Sequence, residues 1–64
     1  MAKLVKLKLV SSEEYVGINP IFIVDAVNGS EQNTTQLFLF TDTETPITVE
    51  GDLDTVLRRL NFGQ

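Results

Sequence analysis

Thr34–Thr41, TTQLFLFT, places apolar side chains on both parities at Leu37, Phe38, Leu39 and Phe40. Successive side chains of a strand point to opposite faces, so this segment, read as a strand, needs cover on both. One face can be served by the domain's own core, the other by a helix or a second copy of the chain. The run before it, Ile21–Val27 (IFIVDAV), is β-branched, apolar on both parities and too short for a typical helix, so it also reads as a strand. Between the two, Asn28–Asn33 (NGSEQN) contains Asn28-Gly29, a strong hairpin signal.

Working outward, Lys3–Val10 alternates, with Val5, Leu7 and Leu9 on one side and Lys6 and Lys8 on the other, the pattern of a half-buried strand. Ser11–Glu14 is a polar connection and Glu14–Ile18 a second strand, stopped by Asn19-Pro20 because proline offers no N–H to a ladder. On the other side, Asp42–Thr45 reads as a turn, Pro46 opens an edge-like strand Ile47–Glu50, and Gly51 breaks it. Leu53, Val56, Leu57 and Leu60 then fall on one face of a helix. Asp52 is its N-cap, Asp54 lies in its first turn, Arg58 and Arg59 in its last, and Asn61 and Gly63 are stop signals. A helix of two turns is marginal alone and must dock. The expected class is therefore mainly β: one domain over residues 1–64, a small antiparallel five-stranded meander or partly closed barrel with one short C-terminal helix.

Composition narrows the chemistry. With no Cys and no His in 64 residues, zinc sites, thiol or Ser-His nucleophiles, haem and iron–sulfur ligation and disulfides all lack their residues. No run approaches the ~18 apolar residues of a membrane span, and the start MAKLVKLKLVSS lacks a long apolar core with a cleavage site. A cytoplasmic location is expected, in which the sequons at Asn28 and Asn33 have no role. A domain of this size buries only ~60% of its unfolded surface, yet 42% of its residues are hydrophobic. Self-association is the expected remedy.

The five bases and nine acids give a net charge of −4, unevenly spread. Residues 1–10 carry three Lys and no acid, residues 11–57 carry all nine acids and no base, and Arg58 and Arg59 follow. One consequence is simple solvation of a mixed surface; another is that Lys6 and Lys8 meet acids of a neighbouring subunit.

The pattern Tyr15-x-x-Ile18-Asn19-Pro20-x-x-Ile23, then a hairpin, Thr35-x-Leu37-x-Leu39, a turn, Ile47-x-Val49 and Leu53-x-x-Val56-Leu57 resembles the FlbD-type family of small flagellar and swarming-motility proteins and similar short bacteriophage proteins. The resemblance covers Tyr15 to Leu60, with Asn19-Pro20 its most distinctive pair. This chain departs from that pattern in its acidic turn Asp42-Thr43-Glu44-Thr45, where basic Asn-Gly-Lys-like turns are usual, in a longer first strand and in lacking a basic tail. The resemblance implies a small β fold and brings no catalytic residue with it.

Acid–base catalysis needs carboxyls driven apart in pKa. Glu13 and Glu14 point to opposite sides of a strand, while Asp42, Glu44, Glu50, Asp52 and Asp54 lie in turns or at a helix start, where acids are common anyway. Asp25 interrupts an apolar strand, facing water at an edge or pairing with a partner's cation. Calcium at Glu50, Asp52 and Asp54 lacks the loop pattern such sites use, and Asn28-Gly29-Ser30 is explained by a turn. No cofactor, metal or catalytic residue is assigned.

Two functions follow. The first is a non-enzymatic, homo-oligomeric protein-binding module, acting as a phage-encoded modulator of a host protein. Its interface is Leu37, Phe38, Leu39, Phe40 and Phe62, with Asp42, Glu44 and Glu50 presented to the partner. The alternative is an oligomeric nucleic-acid binder using Lys6, Lys8, Arg58 and Arg59, with Tyr15, Phe38 or Phe40 stacking on bases. Nine acids repel phosphates and weigh against it.

Overall fold

The computed structural model describes residues 4–60. Five strands lie in two antiparallel sheets: β1 (Val5–Lys8) with β2 (Tyr15–Ile18), and β3 (Ile23–Asn28), β4 (Thr34–Leu39) and β5 (Asp42–Glu50) in the order β3-β4-β5. One helix, α1 (Leu53–Arg59), follows. The five-strand, one-helix class stands, but the strands divide between two sheets and close no barrel among the described residues. The sheets touch just beyond β1, where Leu9 bridges to Val49 and the Val10 N–H donates to the Thr48 carbonyl at 3.0 Å. That contact is too brief to merge them.

The core follows the alternation. Leu7 from β1, Ile18 from β2, Leu37 from β4, Val49 from β5, and Val56 and Leu60 from the helix end are the buried apolar side chains, with Ile23 and Ala26 of β3 packed against them. Thr35 is also fully enclosed, and its hydroxyl donates to the Gly51 carbonyl at 2.8 Å. That bond ties β4 to the corner from which α1 departs.

The corner itself requires glycine, because Gly51 has φ +110 and Val56 Cγ2 lies 3.2 Å from where a Cβ would stand. The helix then starts as its sequence indicates. The Asp52 side chain accepts from the Thr55 N–H at 2.8 Å, and hydrogen bonding from the Thr55 side chain first, then from this N–H, holds the Asp52 carboxyl below its usual range. Leu53 and Leu57 are only half-buried, leaving Val56 and Leu60 as the residues that dock the helix.

Two local expectations change. Ile21 and Phe22 are not in a strand; Pro20–Phe22 is a single 3-10 turn. The Asn19 side chain accepts from the Ile21 N–H at 3.2 Å and the Asn19 carbonyl from the Phe22 N–H at 3.0 Å. Proline at the first position supplies a preset φ, so capping overrides the β-branched composition. Asp42–Thr45, expected as a turn, lies inside β5. Leu37 pairs with Ile47 and Leu39 with Asp42, so the segment between Asp42 and Ile47 bulges opposite Phe38. Asp42 Oδ1 accepts from the N–H groups of Glu44 and Thr45, each at 3.2 Å, so the turn chemistry persists within the bulge. Pro46 sits in this bulge, where no ladder N–H is needed.

Candidate protein-binding surface

The Asn19-Pro20 turn and the tight connection at Phe40-Thr41 meet at one end of the molecule. The Phe40 N–H donates to the Phe22 carbonyl at 2.7 Å, which fixes the two aromatic residues as neighbours. Ile21 is 78% exposed, Phe22 45% and Phe40 67%. A shallow groove beside them is lined by Gly17, Ile18, Asn19, Phe22, Leu39 and Thr41. Asp42 and Glu44, both exposed, follow the Phe40-Thr41 connection at the start of β5. This end is thus apolar with an acidic margin.

The outer face of the β1–β2 sheet has the opposite charge. Lys6 stands across from Gly17 and Lys8 across from Tyr15. Period-2 geometry sends all four to the face away from buried Leu7 and Ile18. The Lys6 ammonium sits 4.7 Å from the centre of the Tyr15 ring and that of Lys8 6.0 Å, within cation–π range. Arg59 reaches over from α1 and donates to the Lys6 carbonyl at 2.9 Å, satisfying a backbone acceptor on the side of β1 away from β2. Tyr15 and Leu4 are each more than half exposed here. This face is apolar with a basic margin.

The interface expected along Leu37–Phe40 is divided by the fold. Leu37 is fully enclosed by its own chain and has nothing to offer a partner; Phe38 and Leu39 are half-buried; Phe40 alone projects. The cause is that α1 and the β1–β2 sheet pack Val56, Leu60, Leu7 and Ile18 against the face of β4 that carries Leu37, while Phe40 lies beyond the end of β4 in its connection to β5. Phe62 lies outside the described residues. Glu50, expected to face a partner, is exposed and lies 3.7 Å from Lys8 of its own chain; an exposed pair of this kind contributes little to stability. Of the basic set, Lys6, Lys8 and Arg59 come together. Arg58 is exposed on α1, where its charge contributes to the lowering at Asp52. Asp25 is exposed at the β3 edge, its carboxylate accepting from the Ala26 N–H at 2.9 Å.

Ile21 and Leu4 were not among the expected surface residues. The signal for Ile21 was present in Asn19-Pro20, a cap followed by a first-position proline. Among the described residues no three carboxylates gather in a way that could hold a metal ion, and no helix is long and apolar enough to cross a membrane. No known protein family, curated protein or solved structure matches the chain.

Proposed function

We propose that this chain is a non-enzymatic protein-binding module that self-associates and works in the cytoplasm by occupying a surface on another protein. The supporting observation is the backbone hydrogen bond that sets Phe40 next to Phe22, which Ile21 precedes in the chain, three large apolar residues all of which are exposed. Clustered exposure of this kind marks interaction surfaces, whereas scattered apolar residues do not. The acidic margin at Asp42 and Glu44 would select a partner surface of basic character. The resemblance of Tyr15–Leu60 to FlbD-type and short bacteriophage proteins extends the proposal to a phage-encoded modulator of a host protein.

Sedimentation velocity from micromolar concentration upward tests the self-association. The wild type should shift to a larger species while Phe40→Glu stays monomeric with an unchanged circular dichroism spectrum. A wild type that remains monomeric throughout, or a Phe40→Glu variant that assembles like it, would remove the proposal.

A second reading, nucleic-acid binding, draws support from the two ammonium groups over the exposed Tyr15 ring with Arg59 alongside. Its test is fluorescence anisotropy with a single-stranded oligonucleotide across a salt series. Binding that weakens steeply with salt supports it, and no binding at low salt ends it.

A further inference from the structure

We propose that the self-associated form is a two-fold dimer in which the basic Tyr15 face of each copy seats on the acidic Phe40 end of the other. This rests on the self-association proposed above and specifies its register and symmetry. Five of the seven large apolar side chains exposed among the described residues belong to these two surfaces: Leu4 and Tyr15 to one, Ile21, Phe22 and Phe40 to the other. The first surface carries Lys6 and Lys8, the latter paired with Glu50, and the second carries Asp42 and Glu44. Among the described residues the only ion pair is Lys8–Glu50, so Lys6 on the first surface and Asp42 and Glu44 on the second have no opposite charge within salt-bridge distance.

The two surfaces are contiguous, and Gly17 joins them. It stands across from Lys6, its missing side chain would lie 3.5 Å from the Leu4 side chain, and it also lines the groove with Phe22 and Leu39. A surface with a basic half and an acidic half meeting at one point is complementary to itself under a half-turn about that point. In such an isologous contact, if residue i of one copy meets j of the other, then j meets i as well. Lys6 would therefore meet Glu44 twice, and Phe40 would meet the Leu4–Tyr15 surface twice. Gly17, nearest the axis, lets the two backbones approach. Stacking like on like would instead oppose carboxylates in molecules already carrying −4 each, which is disfavoured.

Charge reversal tests this pairing more directly than salt does, because salt weakens the local attraction while also screening the overall repulsion between two acidic molecules. Native mass spectrometry and sedimentation equilibrium on Lys6→Glu, Glu44→Lys, the double variant and an equimolar mixture of the singles are the measurements. Both positions are exposed, and circular dichroism reports folding. Each single reversal should raise the dimer dissociation constant by about a hundredfold, roughly tenfold for each of two symmetric like-charge contacts. The double variant should dimerise like the wild type. The mixture should form heterodimers only, since in that pairing alone both contacts join opposite signs.

Single reversals without effect, alongside a Phe40→Glu variant that is monomeric, would overturn the register and leave self-association standing. A monomeric wild type would overturn both. Assemblies larger than two would overturn the two-fold. A Lys6→Glu variant that dimerises normally yet loses oligonucleotide binding would assign the basic face to nucleic acid instead.

Discussion

Truncating Leu37 and Phe40 to alanine, one at a time, separates the enclosed face of β4 from the exposed connection that follows it. Leu37 is fully enclosed, and cutting a buried leucine to alanine costs ~3 to 5 kcal/mol, through lost burial and the cavity left behind. At ~0.05 to 0.15 kcal/mol per residue, a chain of 64 residues holds only ~3 to 10 kcal/mol in all. Leu37→Ala therefore removes about a third of the stability at least and can remove all of it. With a urea slope of ~1 kcal/mol/M for so small a protein, the midpoint falls by ~3 M or the folded baseline disappears. Phe40 is 67% exposed in the single chain. Only a third of the ~2 to 3 kcal/mol of full phenylalanine burial is then at stake, less than ~1 kcal/mol and less than ~1 M in midpoint.

Urea titrations followed by far-ultraviolet circular dichroism, at dilute and at high protein concentration, read both effects. At high concentration the wild type should gain stability by mass action, because a second copy covers Phe40, and Phe40→Ala should not. Equal losses in the two variants at low concentration would refute the assignment of Leu37 to the core and Phe40 to the surface. An equal gain with concentration in Phe40→Ala and the wild type would refute the covering of Phe40.

Gly29→Ala should destabilise by ~1 to 3 kcal/mol as an overpacked site, because a Cβ there would stand 2.9 Å from Thr34 Cβ and 3.1 Å from its carbonyl carbon; thermal unfolding measures it, and an unchanged midpoint would contradict the close approach. Thr35→Val keeps the shape but withdraws the hydroxyl from the Gly51 carbonyl, an expected loss of ~1 to 2 kcal/mol, with amide exchange in the first turn of α1 accelerating in step. The Asp52 carboxyl is lowered from its usual 3.8 first by its side-chain hydrogen bond with Thr55, and the charged form is therefore the one that stabilises the fold. Its contribution is complete above pH 3.8 and is lost as the pH falls through the lower folded-state value. Asp52→Asn keeps a capping oxygen but cannot titrate, so its unfolding midpoint should lose that component of the acid dependence; an identical acid profile in both proteins would refute the assignment.

Periodicity made the core legible at Leu7, Val56 and Leu60, because a strand repeat of two and a helical repeat near four each single out the side that must be covered; at Leu37, in a strand apolar on both parities, it did not. The helix start at Asp52 was equally legible, since capping is settled within four residues. Local contest defeated the reading at two places. At Ile21 and Phe22, the Asn19 cap and Pro20 outweighed β-branched composition. At Asp42–Thr45, turn chemistry survived, but pairing through Leu39 and Asp42 on one side and Leu37 and Ile47 on the other drew it into β5 as a bulge. The Glu50–Lys8 pair was not legible for another reason. It joins positions far apart in the chain, brought together only where Leu9 meets Val49.

What the amino-acid order determined alone was which residues are apolar, at what spacing, and where the chain must turn; these are properties of neighbours in the chain, and short-range sterics and hydrogen bonding settle them. Which apolar residues remain uncovered was decided only by the tertiary structure. Leu37 and Phe40 are alike in pattern, and one is sealed while the other projects because Leu7 and Ile18 of the β1–β2 sheet and Val56 and Leu60 at the helix reach the first and not the second. The same long-range closure brings Arg59 to β1, where it meets Lys6 from 53 positions away, whereas Lys6 and Tyr15 meet within a single hairpin.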